Sequence, residues 1–326
     1  MKAHFKILIL LFAFGTVNAQ QSEIVGKSPW GPTDEIGTLN MMTESSVLNV
    51  LSSIISGKSY DLSVDYFVGM PNFHALGDPE YQYWLTHTPH GTVVDNPNGL
   101  GEAMNQKVSY TGDAISMYTH MGTHIDALNH FGLEGKIWNG YTPEKYLGDK
   151  GWKKTGAETI PPIIARGVLI DIPASHGELS KNYRISAEDL RIALRKQKVK
   201  LAHGDVVLIR TGQARFYEDV NKYLDNYSGI SLDAVKWLVE DQQIMLLGAD
   251  NLSLEAFPPE REDNWVPVHT YLLAQKGVMF IEQMFLEQLA QDKIYEFAFV
   301  AASLKLKGAS GSPMRPIAIP ISSKNE

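Results

Sequence analysis

Between His120 and His130 the chain reads His120-Met-Gly-Thr-His124-Ile-Asp126-Ala-Leu-Asn-His130, three imidazoles and one carboxylate within eleven residues of a chain with ten histidines. Any fold for this chain must gather these groups and satisfy them, because several unpaired polar groups buried together are costly. Their spacing narrows the choices. His124 and Asp126 are two apart, so on an extended segment they point to the same side. Gly122 permits a sharp bend that can fold His120 back beside His124. His130 is four residues past Asp126, so a helical turn starting there brings both to one face. The pattern suggests three ligands, His120, His124 and Asp126, with the fourth polar group, His130, close by. Neutral imidazole nitrogen and carboxylate oxygen are natural ligands of divalent ions such as zinc and manganese.

A lone histidine is usually a satisfied core or surface residue, and it is the density of the cluster that argues for a metal. A purely structural zinc site normally closes four ligands and often uses cysteine, which is absent here.

The first nineteen residues have a different character. Lys2 and Lys6 precede the apolar run Ile7 to Phe14, and Val17-Asn18-Ala19 offers a small-residue cleavage site. This is the layout of a secretory signal peptide, too short for a spanning helix. The expectation is a leader over 1–19, one domain over 20–326, and an exported protein, periplasmic or secreted. Removing the leader deletes two lysines and no acid, so the formal charge of −8 becomes −10. An acidic chain has no electrostatic footprint for nucleic acid or for an anionic membrane. A lipoprotein anchor is excluded by the lack of cysteine at the cleavage site, and disulfides by the lack of any cysteine.

Further along, residues 20–28 read as a loose tail. Trp30-Gly-Pro-Thr-Asp34-Glu-Ile-Gly37-Thr-Leu-Asn40 reads as turn chemistry before a helix over Glu44 to Ile55, capped by Thr43 and ended by Gly57. Ser59 to Ser63 reads as a first strand. Residues 69–106 lack periodicity but carry Phe73, His74, Tyr81, Tyr83, Trp84, His87 and His90. Their aromatic density fits a wall for a ring-bearing substrate, with Phe73 and Trp84 as the candidate contacts, or equally a satellite cluster under a long loop. Strands are expected over Val108 to Thr119, Pro161 to Ile172, Gly204 to Gly212, Ile244 to Ala249 and Glu296 to Leu306. Helices are expected over 143–148, from the Ser186 cap to Val199, and from Ser231 to Glu240. Asp205 reads as a turn residue, Asp250-Asn251 follows a strand end, and Gly308 to Pro316 reads as a closing loop. Strands alternate with helices without a composition break, which is an α/β pattern in one domain.

The His120–His130 segment resembles the signature H-x-G-T-H-x-D-x-P-x-H of the cyclase family of metal-dependent hydrolases, which includes bacterial kynurenine formamidase and isatin hydrolase. Leu128 stands where that signature often has proline, and every polar position is intact. The Trp30–Asn40 segment, roughly 90 residues upstream, resembles the family's W-G-x-x-D-x-x-G-x-x-N opening. The resemblance implies the swivelling β/β/α fold and implies that His269 and Glu282 complete the site, through a second metal or through bonds to the first ligands. It also implies a homodimer or homotetramer. The expected activity is hydrolysis of a carbon–nitrogen bond in a small amide, cyclic or aryl, by water activated on Zn2+ or Mn2+. His130 would act as general base and then as acid. The alternatives are a cyclase or lactone-opening enzyme, a non-catalytic periplasmic binding protein, and an interaction protein with a structural metal.

Overall fold

The computed structural model describes residues 24–73 and 77–322. The expected leader lies outside the described residues. Nine strands make one mixed sheet: β1 (Tyr60–Asp61), β2 (His124–Asp126), β3 (Ile163–Asp171), β4 (Val206–Arg210), β5 (Leu246–Ala249), β6 (Phe280–Glu282), β7 (Glu296–Ala301), β8 (Gly311–Pro313) and β9 (Ile317–Pro320). Their order is β1-β9-β7-β3-β4-β5-β6-β2-β8. The centre, β3-β4-β5-β6, is parallel. Parallel neighbours need crossover connections, and helices Ala187–Gln197, Leu232–Lys236 and Pro267–His269 supply them. Strands β7, β9 and β1 extend one side antiparallel, and β2 and β8 extend the other. The α/β expectation holds.

The parallel strands read as continuous apolar runs because both of their faces are covered. Val206, Val207, Leu208, Leu246, Leu247, Phe280 and Ile281 are all fully buried, each worth roughly 1.5–3 kcal/mol of burial for a large side chain. Ser186 caps its helix as expected, in a capping box with Asp189. Asp205 is structural, since its carboxylate lies 2.6 Å from Arg166 Nη1 while Arg166 Nη2 reaches Glu296. Asp250 is structural too. It accepts the backbone N–H of Thr211 and of Gly212 and the Thr211 hydroxyl.

Several expectations need correction. The Thr43-capped helix stops at Ser52, not Ile55, because Ile54 bridges Ile321 instead of continuing the turn. Residues 24–28 are not loose. The Gly26 N–H donates to the Ala274 carbonyl, and a Cβ at Gly26 would fall 2.0 Å from the Gln275 oxygen. The aperiodic stretch holds a strand, Gln82–His87, which pairs antiparallel with Gly112–Ser116 in a two-stranded ribbon. The strand beginning at Glu296 ends at Ala301, not Leu306, and β8 and β9 follow it. The expected closing loop contains β8, whose Gly-Ser-Pro sequence gives no strand signal and pairs because β2 offers it an edge.

The Trp30–Asn40 segment is a clasp. Asp34 accepts hydrogen bonds from the Ile36 and Gly37 backbone, from Asn40 and from Trp138 Nε1. Burial opposes ionisation of Asp34, but these donors and Ser28 outweigh it and hold the carboxyl below its usual range. Thr38 Oγ1 and its N–H both reach the Gly277 carbonyl. Gly277, in the left-handed region at φ +65°, ends the helical segment that starts at Pro267.

Candidate metal centre

β2 is extended, so His124 and Asp126 share a face. It pairs with β6 in a register that sets Glu282 directly opposite His124, where side chains on one face meet. The bend before β2 depends on Gly122. Its φ is +59°, and a Cβ there would lie 2.4 Å from the Tyr66 ring. The bend returns His120 to the strand, with Nδ1 2.6 Å from Asp126 Oδ1 and Nε2 2.8 Å from Ser310 Oγ. His130 arrives by a tight turn, its N–H donating to the Ala127 carbonyl, and not by the helical turn its spacing suggested. Its Nε2 lies 3.6 Å from Asp126 Oδ2, and its ring stacks on His120 at 3.7 Å between centroids. His269 enters from the Pro267 helix, with Nε2 3.4 Å from Glu282 Oε1.

Two triads result, His120/His124/Asp126 and Asp126/His269/Glu282, each able to bring three ligand atoms within 4.8 Å of one another, with Asp126 common to both. The five residues inferred as ligands thus converge. The chemistry of the gap between them is informative. His124 Nε2, Asp126 Oδ2 and Glu282 Oε1 are buried and have no hydrogen-bond partner. Leaving such groups unpaired costs roughly 1–3 kcal/mol each, more when charged. A divalent cation is the partner that this donor set fits.

Electrostatics point the same way. Burial alone would lower the His124 pKa, but the Asp126 and Glu282 carboxylates push it up to about 10. His269 also rises to about 10 against burial, through Glu255 and Glu282. Burial opposes ionisation of Asp126, yet His130 and His120 hold it well below the usual range. His130 goes the other way, well below an ordinary histidine, through burial and the neighbouring His120, with Asp126 only partly offsetting them. The cluster carries surplus negative charge that protons or a cation must balance.

Aromatic rings pack against the histidines. Phe131 meets His130 at 4.4 Å and His269 at 5.0 Å between centroids, and Trp265 at 5.7 Å. Tyr118 lies 5.0 Å from His120, and Trp265 is 46% exposed. Phe73, singled out from the sequence, stacks on Phe257 in a cluster that also holds Tyr118, Met121, Tyr227 and Leu252. Trp84 faces Ala114 across the ribbon and is half exposed. Five residues of this neighbourhood escaped the sequence reading: Ser310, Tyr118, Phe131, Trp265 and Glu255. Tyr118 and Phe131 had a local signal, their closeness in sequence to His120 and His130.

The model of the cyclase family, described as "Putative cyclase", matches residues 60–256. A crystal structure described as a novel cyclase superposes with a TM-score of 0.80 at 31% identity, covering 91% of this chain and all of that one. The fold is therefore the one the resemblance implied. Cyclase-like protein 3 of Oryza sativa subsp. japonica is 29% identical over 264 residues, 81% of this chain and 80% of that protein. Kynurenine formamidase of Bacillus thuringiensis (strain Al Hakam) is 25% identical over 207 residues, 64% of this chain and 79% of that enzyme.

Proposed function

Because the chain belongs to the cyclase family, we propose that it is a metal-dependent hydrolase that opens the carbon–nitrogen bond of a small aryl or cyclic amide. The observation that carries this reading is the convergence of three partnerless buried ligand atoms beside one imidazole that is less deeply buried than they are. The side chains of His124, Asp126, His120 and Glu282 are 7% exposed or less, whereas that of His130 is 17% exposed. His120, His124, Asp126, His269 and Glu282 would hold the ion or ions, with Zn2+ and Mn2+ both compatible with imidazole and carboxylate. A divalent ion supplies Lewis-acid chemistry there, lowering the pKa of a bound water and polarising the substrate carbonyl.

The protein's own groups do the rest. His130 takes a proton from the attacking water, carbon–oxygen bond formation and carbon–nitrogen cleavage follow at the carbonyl, and His130 returns the proton to the departing nitrogen. Asp126, 3.6 Å from His130 Nε2, stabilises the imidazolium between these transfers. Phe131 and Trp265 form an aromatic approach that suits a planar substrate. The name of the Bacillus relative supports an amide substrate.

The test is turnover of an amide panel (N-formylkynurenine, isatin and a simple cyclic imide, with an aryl lactone as control) by wild type and by His130→Ala. The reading expects metal-dependent turnover of at least one amide and a loss of roughly 10²–10⁴-fold in the variant, with its metal content unchanged. Metal-loaded wild type that opens only the lactone would overturn the carbon–nitrogen assignment.

A further inference from the structure

We infer that Glu255 is the positioning residue for His269, fixing which imidazole nitrogen faces the metal-binding gap and strengthening it as a ligand. The inference rests on the metal reading above. Glu255 is buried, 1% exposed, and lies outside both triads. Its Oε1 accepts a 2.6 Å hydrogen bond from His269 Nδ1–H and a 3.1 Å bond from the His269 backbone N–H. Its Oε2 accepts from the Val268 N–H at 3.4 Å. With Nδ1 occupied in this way, Nε2 is left to face Glu282 Oε1 at 3.4 Å. An imidazole backed by a carboxylate is held in one tautomer and is a stronger donor to a metal.

The two histidines that face Glu282 are thus backed differently. His124 Nδ1 lies against a neutral acceptor, the Gly122 carbonyl, at 2.8 Å. His269 alone is backed by a charge from outside the ligand set.

The chain builds a dedicated support for that charge. Leu254 adopts φ +53°, a conformation that costs a bulky residue of order 1–3 kcal/mol and that turns Glu255 inward. Asn251 Nδ2 donates to the Leu254 carbonyl at 3.0 Å and to the Ser228 carbonyl at 2.8 Å, locking the kink. Glu255 also bridges Ile230, and this close pass requires Gly229, where a Cβ would lie 2.3 Å from the Glu255 carbonyl carbon. The two backbone N–H groups at the start of the Pro267 helix and the His269 ring together satisfy a carboxylate that would otherwise be costly to bury. A helix cap alone would leave Nδ1 free.

The test compares wild type, Glu255→Gln and Glu255→Leu as full-length mature protein, by Co2+ titration with the visible ligand-field spectrum, and by Zn2+ affinity. Circular dichroism and thermal melting report the fold. Gln keeps a neutral acceptor for the helix start and for Nδ1, and Leu removes both. The expectation is a fall in affinity of roughly 10–100-fold for Gln, a larger one for Leu, and an altered Co2+ spectrum in both, with native circular dichroism in Gln. Wild-type affinity and spectrum in Glu255→Gln would overturn the assignment and leave Glu255 a helix cap, while the metal reading stands. A wild type that takes up neither ion would overturn both.

Discussion

At the scale of single residues, the centre depends on backbone freedom as much as on ligands. Gly122→Ala adds a Cβ that must displace the Tyr66 ring at a left-handed position. The expected loss is on the order of 2–3 kcal/mol in urea unfolding, with weakened metal binding because His120 is carried away from Asp126. An unchanged unfolding midpoint would show that the bend tolerates a side chain. The four-residue signature His120, His124, Asp126 and His130 was legible because a bend, a strand and a turn gather groups that are already close in sequence. Glu255 and Ser310 were not. Ser310 meets His120 from 190 residues away, Glu255 acts on a histidine that was itself not legible locally, and nothing around either position distinguishes it from an ordinary surface Glu or Ser. His269 and Glu282 were legible only through family resemblance, since one His before a helix and one Glu at a strand end are weak local signals.

At the scale of elements, the helical segment bearing His269 is held at both ends, by Glu255 at its start and by the Thr38–Gly277 contact at its finish. Asp34 organises the second of these. Asp34→Ala leaves Trp138 Nε1–H and the Gly37 N–H without their acceptor, and about 2–4 kcal/mol should be lost at neutral pH, each orphaned donor costing roughly 1–3 kcal/mol. The sign of the pH dependence follows from the depressed carboxyl. Asp34 has a folded pKa below its ordinary 3.8, so its contribution is complete above that value and is lost as pH falls through the lower folded value. Wild type and Asp34→Ala should therefore converge in stability under acid, and a constant gap down to pH of about 2 would contradict this. The parallel strands and the capped helices were legible because burial on both faces and capping boxes leave local patterns. Strand β8 was not, because a Gly-Ser-Pro sequence becomes strand only where a neighbouring edge satisfies its backbone.

At the scale of the whole molecule, the ribbon stands out. Ten of the twenty large apolar side chains exposed among the described residues fall between Tyr83 and Ile115, including Trp84, Leu85 and Val94. Four charged residues lie in the 81–118 stretch, and aromatic enrichment with charge depletion marks the core of protein interfaces. We expect a homo-oligomer in light scattering at micromolar concentration, with Trp84→Glu shifting it toward monomer; a wild-type monomer would remove the case. No helix among the described residues is long and apolar enough to cross a membrane. Export remains our proposal from the leader, and amino-terminal sequencing of the protein made in its own host should begin near Gln20.

The central claim is that the gap among His124, Asp126 and Glu282 is built for a divalent ion. It is tested most directly by elemental analysis of purified wild type and of Asp126→Asn, before and after incubation with Zn2+ or Mn2+ and desalting. Wild type should retain at least one ion per chain, and the variant, which loses the carboxylate common to both triads, should retain little. Wild type that retains no ion after either incubation, while folded, would contradict the account.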